Sequence, residues 1–121
     1  MLDLIFYDIN SKPQILSVTE SCYKNLAEIG FSKKVNYKNI KLTIEDEKYN
    51  IYATELNKKN RSTLLNLIEL ERQQELEKIF EKINSDNPTI KEIREYLKYI
   101  KELTSIYKLL AVNNNKYFSY E

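Results

Sequence analysis

The chain has 121 residues, 19 basic and 18 acidic side chains, a net charge of +1, no histidine, no tryptophan, one glycine and one cysteine. That length suits a single domain with one core. Without histidine the usual general base and the commonest zinc ligand are missing, a lone Cys22 makes no disulfide or thiolate cluster, and a lone Gly30 makes no phosphate-cradling loop, which argues against triad hydrolases, zinc and haem proteins and nucleotide-driven enzymes.

Residues 2–9 open as a strand. Leu2, Leu4 and Phe6 fall on one face and Ile5 and Tyr7 on the other, so the strand is apolar on both sides and suits an interior position in a sheet. Pro13 closes it as a loop. Ser17 with Glu20 reads as a capping box for a helix over 18–29, in which Val18, Cys22, Leu26 and Ile29 recur at helical spacing. Gly30 stands where a helix C-terminal glycine is wanted. Cys22 is read as a small buried hydrophobe. Ile40, Leu42 and Ile44 alternate with polar residues, as do Tyr49, Ile51 and Ala53, which predicts strands over 39–45 and 48–55. Between them Glu45, Asp46, Glu47 and Lys48 read as a four-residue hairpin loop, because the glycine of the tightest turns is absent. Asp46 and Lys48 carry an acid-x-Lys spacing seen in some metal-dependent nucleases, but at a hairpin tip charged residues are the default.

The second half is helical over 62–84 and again over 90–112. Pro88 cannot sit within a helix, and Thr89 with Glu92 forms a capping box for the restart. In the last helix Ile90, Ile93, Leu97, Ile100, Thr104, Tyr107 and Ala111 follow the alternating three-and-four spacing of helices packed side by side. In the preceding helix two apolar clusters flank Glu71, Arg72, Gln73, Gln74 and Glu75, a stretch with nothing apolar. Packing supplies most helical stability, so this gap implies contacts with two different neighbours, or exposure there. Asn113, Asn114 and Asn115 mark the helix end. The expected fold is α+β: a three-stranded antiparallel sheet in the order β-α-β-β over 1–61, a helical hairpin over 62–112 and a tail over 113–121.

Charge is unevenly spread. Residues 30–61 carry eight basic and four acidic groups, and the flanking segments are slightly acidic. Lys33, Lys34, Tyr37, Lys38, Lys41, Lys58, Lys59 and Arg61 are therefore the candidate partner-binding residues. Phe31 and Tyr37 lie among the first of these lysines, a composition that could engage an acidic groove or stack on single-stranded nucleic acid. Ten tyrosines also suit interfaces. No catalytic residue, cofactor or metal ligand is identified, and no apolar run near twenty residues or leader segment is read.

These observations lead to the expectation of a cytoplasmic, non-enzymatic protein that binds another macromolecule, most readily a protein, without membrane association. Its Lys-, Asn-, Ile- and Tyr-rich usage fits a phage or mobile-element accessory factor, such as an inhibitor of a host protein. Self-association as a homodimer through the helical hairpin is a further expectation. The alternative is a DNA-binding regulator. Pro88-Thr89-Ile90-Lys91-Glu92-Ile93, Leu97 and Thr104-Ser105-Ile106-Tyr107-Lys108-Leu109-Leu110 resemble the helix-turn-helix of winged-helix repressors, which implies that Lys101 and Lys108 face phosphate and that 116–120 begins a wing.

Overall fold

A computed structural model of the protein describes residues 2–85 and 87–120. Along the chain run β1 (Leu2–Asp8), β2 (Pro13–Val18), α1 (Glu20–Glu28), a 3₁₀ turn (Phe31–Lys33), β3 (Lys38–Ile44), β4 (Glu47–Glu55), α2 (Lys58–Ser85), α3 (Ile90–Ala111) and β5 (Asn115–Tyr120). The α+β class stands, but the three-stranded sheet does not. Five antiparallel strands lie in the order β2-β1-β5-β4-β3.

The two added strands have separate causes. β2 is an edge strand, and Pro13 opens it where a missing N–H costs no ladder bond. Ser17 belongs to that strand, opposite Asp3, and donates its hydroxyl to the Asp3 carboxylate at 2.7 Å. Thr19, not Ser17, caps α1, accepting from the Cys22 N–H at 3.2 Å. β5 is the segment expected to be a tail. It fills the sheet centre between β1 and β4, and its Phe118 ring lies 5.1 Å from Phe6 and 5.7 Å from Phe31. Such tilted aromatic contacts are favourable beyond their buried area. Gly30 follows α1 at φ 74, and its N–H returns to the Ala27 carbonyl at 3.1 Å, as the spacing predicted.

The β3–β4 loop is shorter than expected. Ile44 pairs with Glu47, so only Glu45 and Asp46 turn the chain, at φ 51 and 64. Positive φ at both central residues is the geometry of the tight primed turn, reached here without glycine.

Leu4, Phe6 and Phe118 face the main core, where Cys22 and Leu26 of α1, Phe31, Leu64 and Ile68 of α2 and Leu103, Ile106 and Leu110 of α3 cover the sheet. On its other face Tyr7, Ile40, Leu42 and Ala53 form a smaller cluster with Ile5, Ile44, Ile51 and Tyr117. The period-two alternation of β1 thus serves two separate cores.

Among the described residues the helical half breaks where Pro88 and Thr89 predicted, Asp86 of that break lying outside them. The Thr89–Glu92 capping box forms in both directions. α3 then runs unbroken to Ala111, and 116–120 lies within β5. A helix-turn-helix needs a turn inside α3 and a wing beyond it, so the winged-helix resemblance does not extend to structure. The polar stretch of α2 also finds an account. Glu71 is buried, and its carboxylate accepts from the Tyr99 hydroxyl at 3.1 Å, while Arg72 lies over the Tyr107 ring at 5.8 Å. Long tyrosines of α3 reach across a seam where α2 has no apolar side chains.

Candidate functional site

Among the described residues β4 and β5 are ladder-paired at Thr54–Phe118 and Glu55–Tyr117 alone. Beyond that point the strands part, and the β3–β4 hairpin continues as a two-stranded ribbon. The Ser119 hydroxyl bridges the start of the opening, donating to the Tyr52 carbonyl at 3.0 Å. Along 47–53 the edge of β4 turned from β3 makes no further ladder pair among the described residues. A groove of about 520 Å³ lies at this parting, lined by Tyr7, Ser32, Tyr37, Asn50, Ile51, Tyr52, Ser119 and Tyr120. Four of its eight lining residues are tyrosines, drawn from four separate segments of the chain.

Alternation explains how they meet. Tyr120 follows Phe118 on the helix-covered face, while Tyr7 and Ser119 belong to the other face. Only a gap between strands brings residues of both faces to one groove. Tyr37 and Tyr52 lie with ring centroids 5.8 Å apart, and Tyr120 stacks on Tyr23 at 5.0 Å. The Tyr37 hydroxyl is buried and has no hydrogen-bond partner among the described residues. Burial, reinforced by the neighbouring Tyr52 phenol, pushes its pKa from 10.0 up to about 12. Burial and then the phenols of Tyr23 and Tyr37 likewise raise Tyr120. Both are neutral phenols near neutral pH, each able to donate one hydrogen bond. Beside the groove the Tyr37 hydroxyl is placed to donate to an acceptor that enters it, water included.

The candidate residues divide into two groups. Lys33 ends the 3₁₀ turn and Lys34 follows it, both exposed, one and two residues beyond Ser32 of the groove. Lys41 stands opposite Asn50 and beside Asn39, which faces Tyr52, so its strand face continues the groove outward along the ribbon. Lys48 joins the same face and was not among the candidates. Lys38 opens β3 on the exposed edge. Phe31, placed among these lysines by sequence, is fully buried in the main core and is no stacking platform.

Lys58, Lys59 and Arg61 lie elsewhere, in the first turn of α2. Lys58 and Arg61 line a separate groove with Leu65, Asn66 and Tyr107. Lys59 is exposed and its carbonyl accepts from Thr63. The Arg61 guanidinium donates to four carbonyls: Leu110 at 2.5 Å, Val112 at 2.9 Å, Asn115 at 2.6 Å and Leu56 at 3.0 Å. It ties the end of α3, the start of β5 and the exit of β4 together, satisfying helix C-terminal carbonyls. Both of its terminal nitrogens are occupied within the fold.

Cys22 is buried, and burial, with the Glu102 carboxylate beside it, pushes the thiol up to about 12. Glu102 in turn accepts from the Thr19 N–H at 2.9 Å, fastening α3 to the start of α1. Among the described residues no group of three or more acidic or cysteine side chains could hold a metal ion, and no helix is long and apolar enough to cross a membrane.

The sequence named one groove tyrosine, Tyr37. It missed Tyr7, Tyr52 and Tyr120 because nothing local in 115–120 reveals a strand running beside β1 and β4. No protein-family model, curated protein or solved structure matches the chain.

Proposed function

We propose that the chain is a non-enzymatic binding protein whose partner is another protein, held as an extended segment in the tyrosine groove along the free edge of β4. One observation carries this reading: the β4–β5 ladder stops after two residue pairs, beside four tyrosines and the orphaned Tyr37 hydroxyl. An unpaired strand edge supplies backbone donors and acceptors to an added strand, and flanking pockets read its alternate side chains. Tyrosine supplies contact area with only two side-chain torsions to immobilise, which suits recognition.

A second reading has its own observation. Lys33 and Lys34 follow Ser32 of the groove, and Lys41 and Lys48 lie outward along the ribbon from Tyr52, so basic and aromatic side chains neighbour one another as in grooves that grip single-stranded nucleic acid. The near-neutral chain favours the protein partner, because phosphate binding draws on net basic charge.

The two are separated by selecting displayed random peptides on the purified protein, alongside titrations with single-stranded DNA and RNA across salt. The protein-binding reading predicts peptides whose affinity falls at least tenfold in Tyr52→Ala and changes little with salt. Tyr52 is exposed, so its truncation leaves the core intact. Absence of any selected peptide, together with nucleic-acid binding that weakens steeply with salt and is lost on Lys33→Glu with Lys41→Glu, would reverse the assignment.

A further inference from the structure

The helical hairpin has a side that the fold does not use. α2 and α3 run antiparallel, Arg61 meeting the Leu110 carbonyl, Glu71 the Tyr99 hydroxyl, and Lys78 lying beside Tyr96. Glu75, Ile79 and Lys82 of α2 and Tyr96, Tyr99 and Leu103 of α3 occupy the seam between them or the side toward the core. A helix turns about 100° per residue, so one position further brings Leu76, Phe80 and Ile83 on α2, and Leu97, Ile100 and Thr104 on α3, round from the seam. Ile90 and Ile93 continue the α3 stripe. Because the helices run in opposite directions, that same rotation carries both stripes to the same side of the hairpin. Ile106 and Glu102 face the sheet and α1, so this side points away from the sheet. Phe80 is 62% exposed, Ile90 71% and Leu97 47%. The heptad-like spacing of α3 is therefore only partly consumed within the chain.

Charge at the borders of this face is sorted by helix. Beyond the apolar stripe on α2 stands Glu77; beyond that on α3 stands Arg94, while Lys91 and Lys98 turn to the side of Glu102, where Lys98 lines a groove with Thr19 and Cys22. Neither Glu77 nor Arg94 is ion-paired among the described residues. The cross-helix contacts set the levels, placing Glu77 close to the level of Arg94.

We propose that this face is the contact surface for a second copy of the chain, forming a two-fold four-helix bundle in which α2 of each copy lies antiparallel along α3 of the other. A two-fold axis parallel to the hairpin keeps every level, lays the acidic border of one copy on the basic border of the other, and sets Phe80 against Ile90 and Ile93 of the second copy. An axis across the hairpin would stack acid on acid and base on base, so charge selects the first arrangement. Each sheet then lies on the outer side of its own hairpin, where Ile106 and Glu102 hold it. A face two helices wide, each about 10 Å across, and about 30 Å long offers roughly 600 Å² per copy, approaching the roughly 800 Å² of a standard stable interface. Closed two-fold pairs are the commonest oligomers, and each side-chain pair occurs twice in them. The surface lies apart from the tyrosine groove, so the inference stands or falls independently of the proposed function.

Sedimentation equilibrium of the full chain, from low to high micromolar, tests it with four variants whose folding is checked by thermal melts. The wild type should dimerise, and Phe80→Glu should be monomeric throughout. Glu77→Lys and Arg94→Glu should each weaken the dimer about tenfold, through two symmetry-related pairs, and the double reversal should restore it. A wild type monomeric at high micromolar concentration overturns the proposal. So does a dimer indifferent to Phe80→Glu, and so does a double reversal no tighter than the singles, which would remove the antiparallel α2-on-α3 pairing.

Discussion

The two ends of the helical hairpin are built from the same two helices yet are held by different physics. At the end near the sheet, Leu64, Ile68, Leu103, Ile106 and Leu110 are wholly buried against β1, β5 and α1. Toward the tip, between Leu76 and Leu97, Ile79 is the only buried apolar side chain among the described residues, and Phe80, Ile83, Ile90 and Leu97 are exposed. The tip relies on its capping box and the α2–α3 seam alone, whereas the base is fixed by tertiary contacts. A long apolar repeat does not show by itself which of its turns are spent inside the chain.

Core substitutions should expose this contrast most strongly. Leu103→Ala at the base leaves a cavity and should cost about 3 kcal/mol, while Leu97→Ala one and a half turns away should cost less than about 0.5 kcal/mol in the monomer. Chemical denaturation of both variants at low protein concentration checks this. Equal losses would mean that the tip is packed as tightly as the base.

Arg61 marks the junction between the base and β5. Removing its guanidinium strands several carbonyls at once, so Arg61→Ala should cost about 3 kcal/mol, and Arg61→Lys should recover little because an ammonium cannot reach four acceptors in that fork. Recovery by lysine would show that charge near the end of α3, not the four-carbonyl geometry, is what matters.

Midway along the hairpin, Tyr99→Phe deletes the hydroxyl donor to the buried Glu71 carboxylate. An unpaired buried acceptor should cost about 1–2 kcal/mol. A neutral outcome in denaturation would place Glu71 in water and return the polar stretch of α2 to solvent.

How much of this was legible in sequence follows from the range of the interactions. β1, β3, β4, the break at Pro88 and the long α3 rest on periodicity and capping within a few residues, and all were readable. β2 was hidden because an edge strand beginning with proline and mostly exposed has no strong alternation. β5 was hidden for a different reason. Its Tyr117, Phe118 and Tyr120 pattern is visible, but its place between β1 and β4 is set by partners more than sixty residues away. The tyrosine groove exists only because of that placement, so Tyr37 alone could be suspected from its neighbours. Arg61 was named for its charge, and its bonds to four carbonyls depend on positions that no local pattern encodes.

Two smaller effects concern ionisation in the body of the fold. Tyr37 is raised from 10.0 to about 12, so the stability contributed by its neutral form is complete below about pH 10 and is lost as pH climbs through about 12. Base-induced unfolding should therefore begin in that window, and Tyr37→Phe should move its onset upward. An unchanged onset would mean that Tyr37 titrates freely in the folded state. The smallest effect is expected at Cys22, whose raised thiol should react slowly with alkylating reagents in the native protein. Cys22→Ala should cost about 1 kcal/mol while leaving peptide binding intact, and lost binding with folding preserved would assign the thiol a role in the site.

The contrast between base and tip is tested most directly by amide hydrogen exchange along α2 and α3 at two protein concentrations. At low micromolar concentration, 103–110 should be protected to nearly the global unfolding limit while 90–97 and 76–84 exchange much faster. At high micromolar concentration the tip should gain protection and the base should not change. Uniform protection along both helices, independent of concentration, would contradict the account.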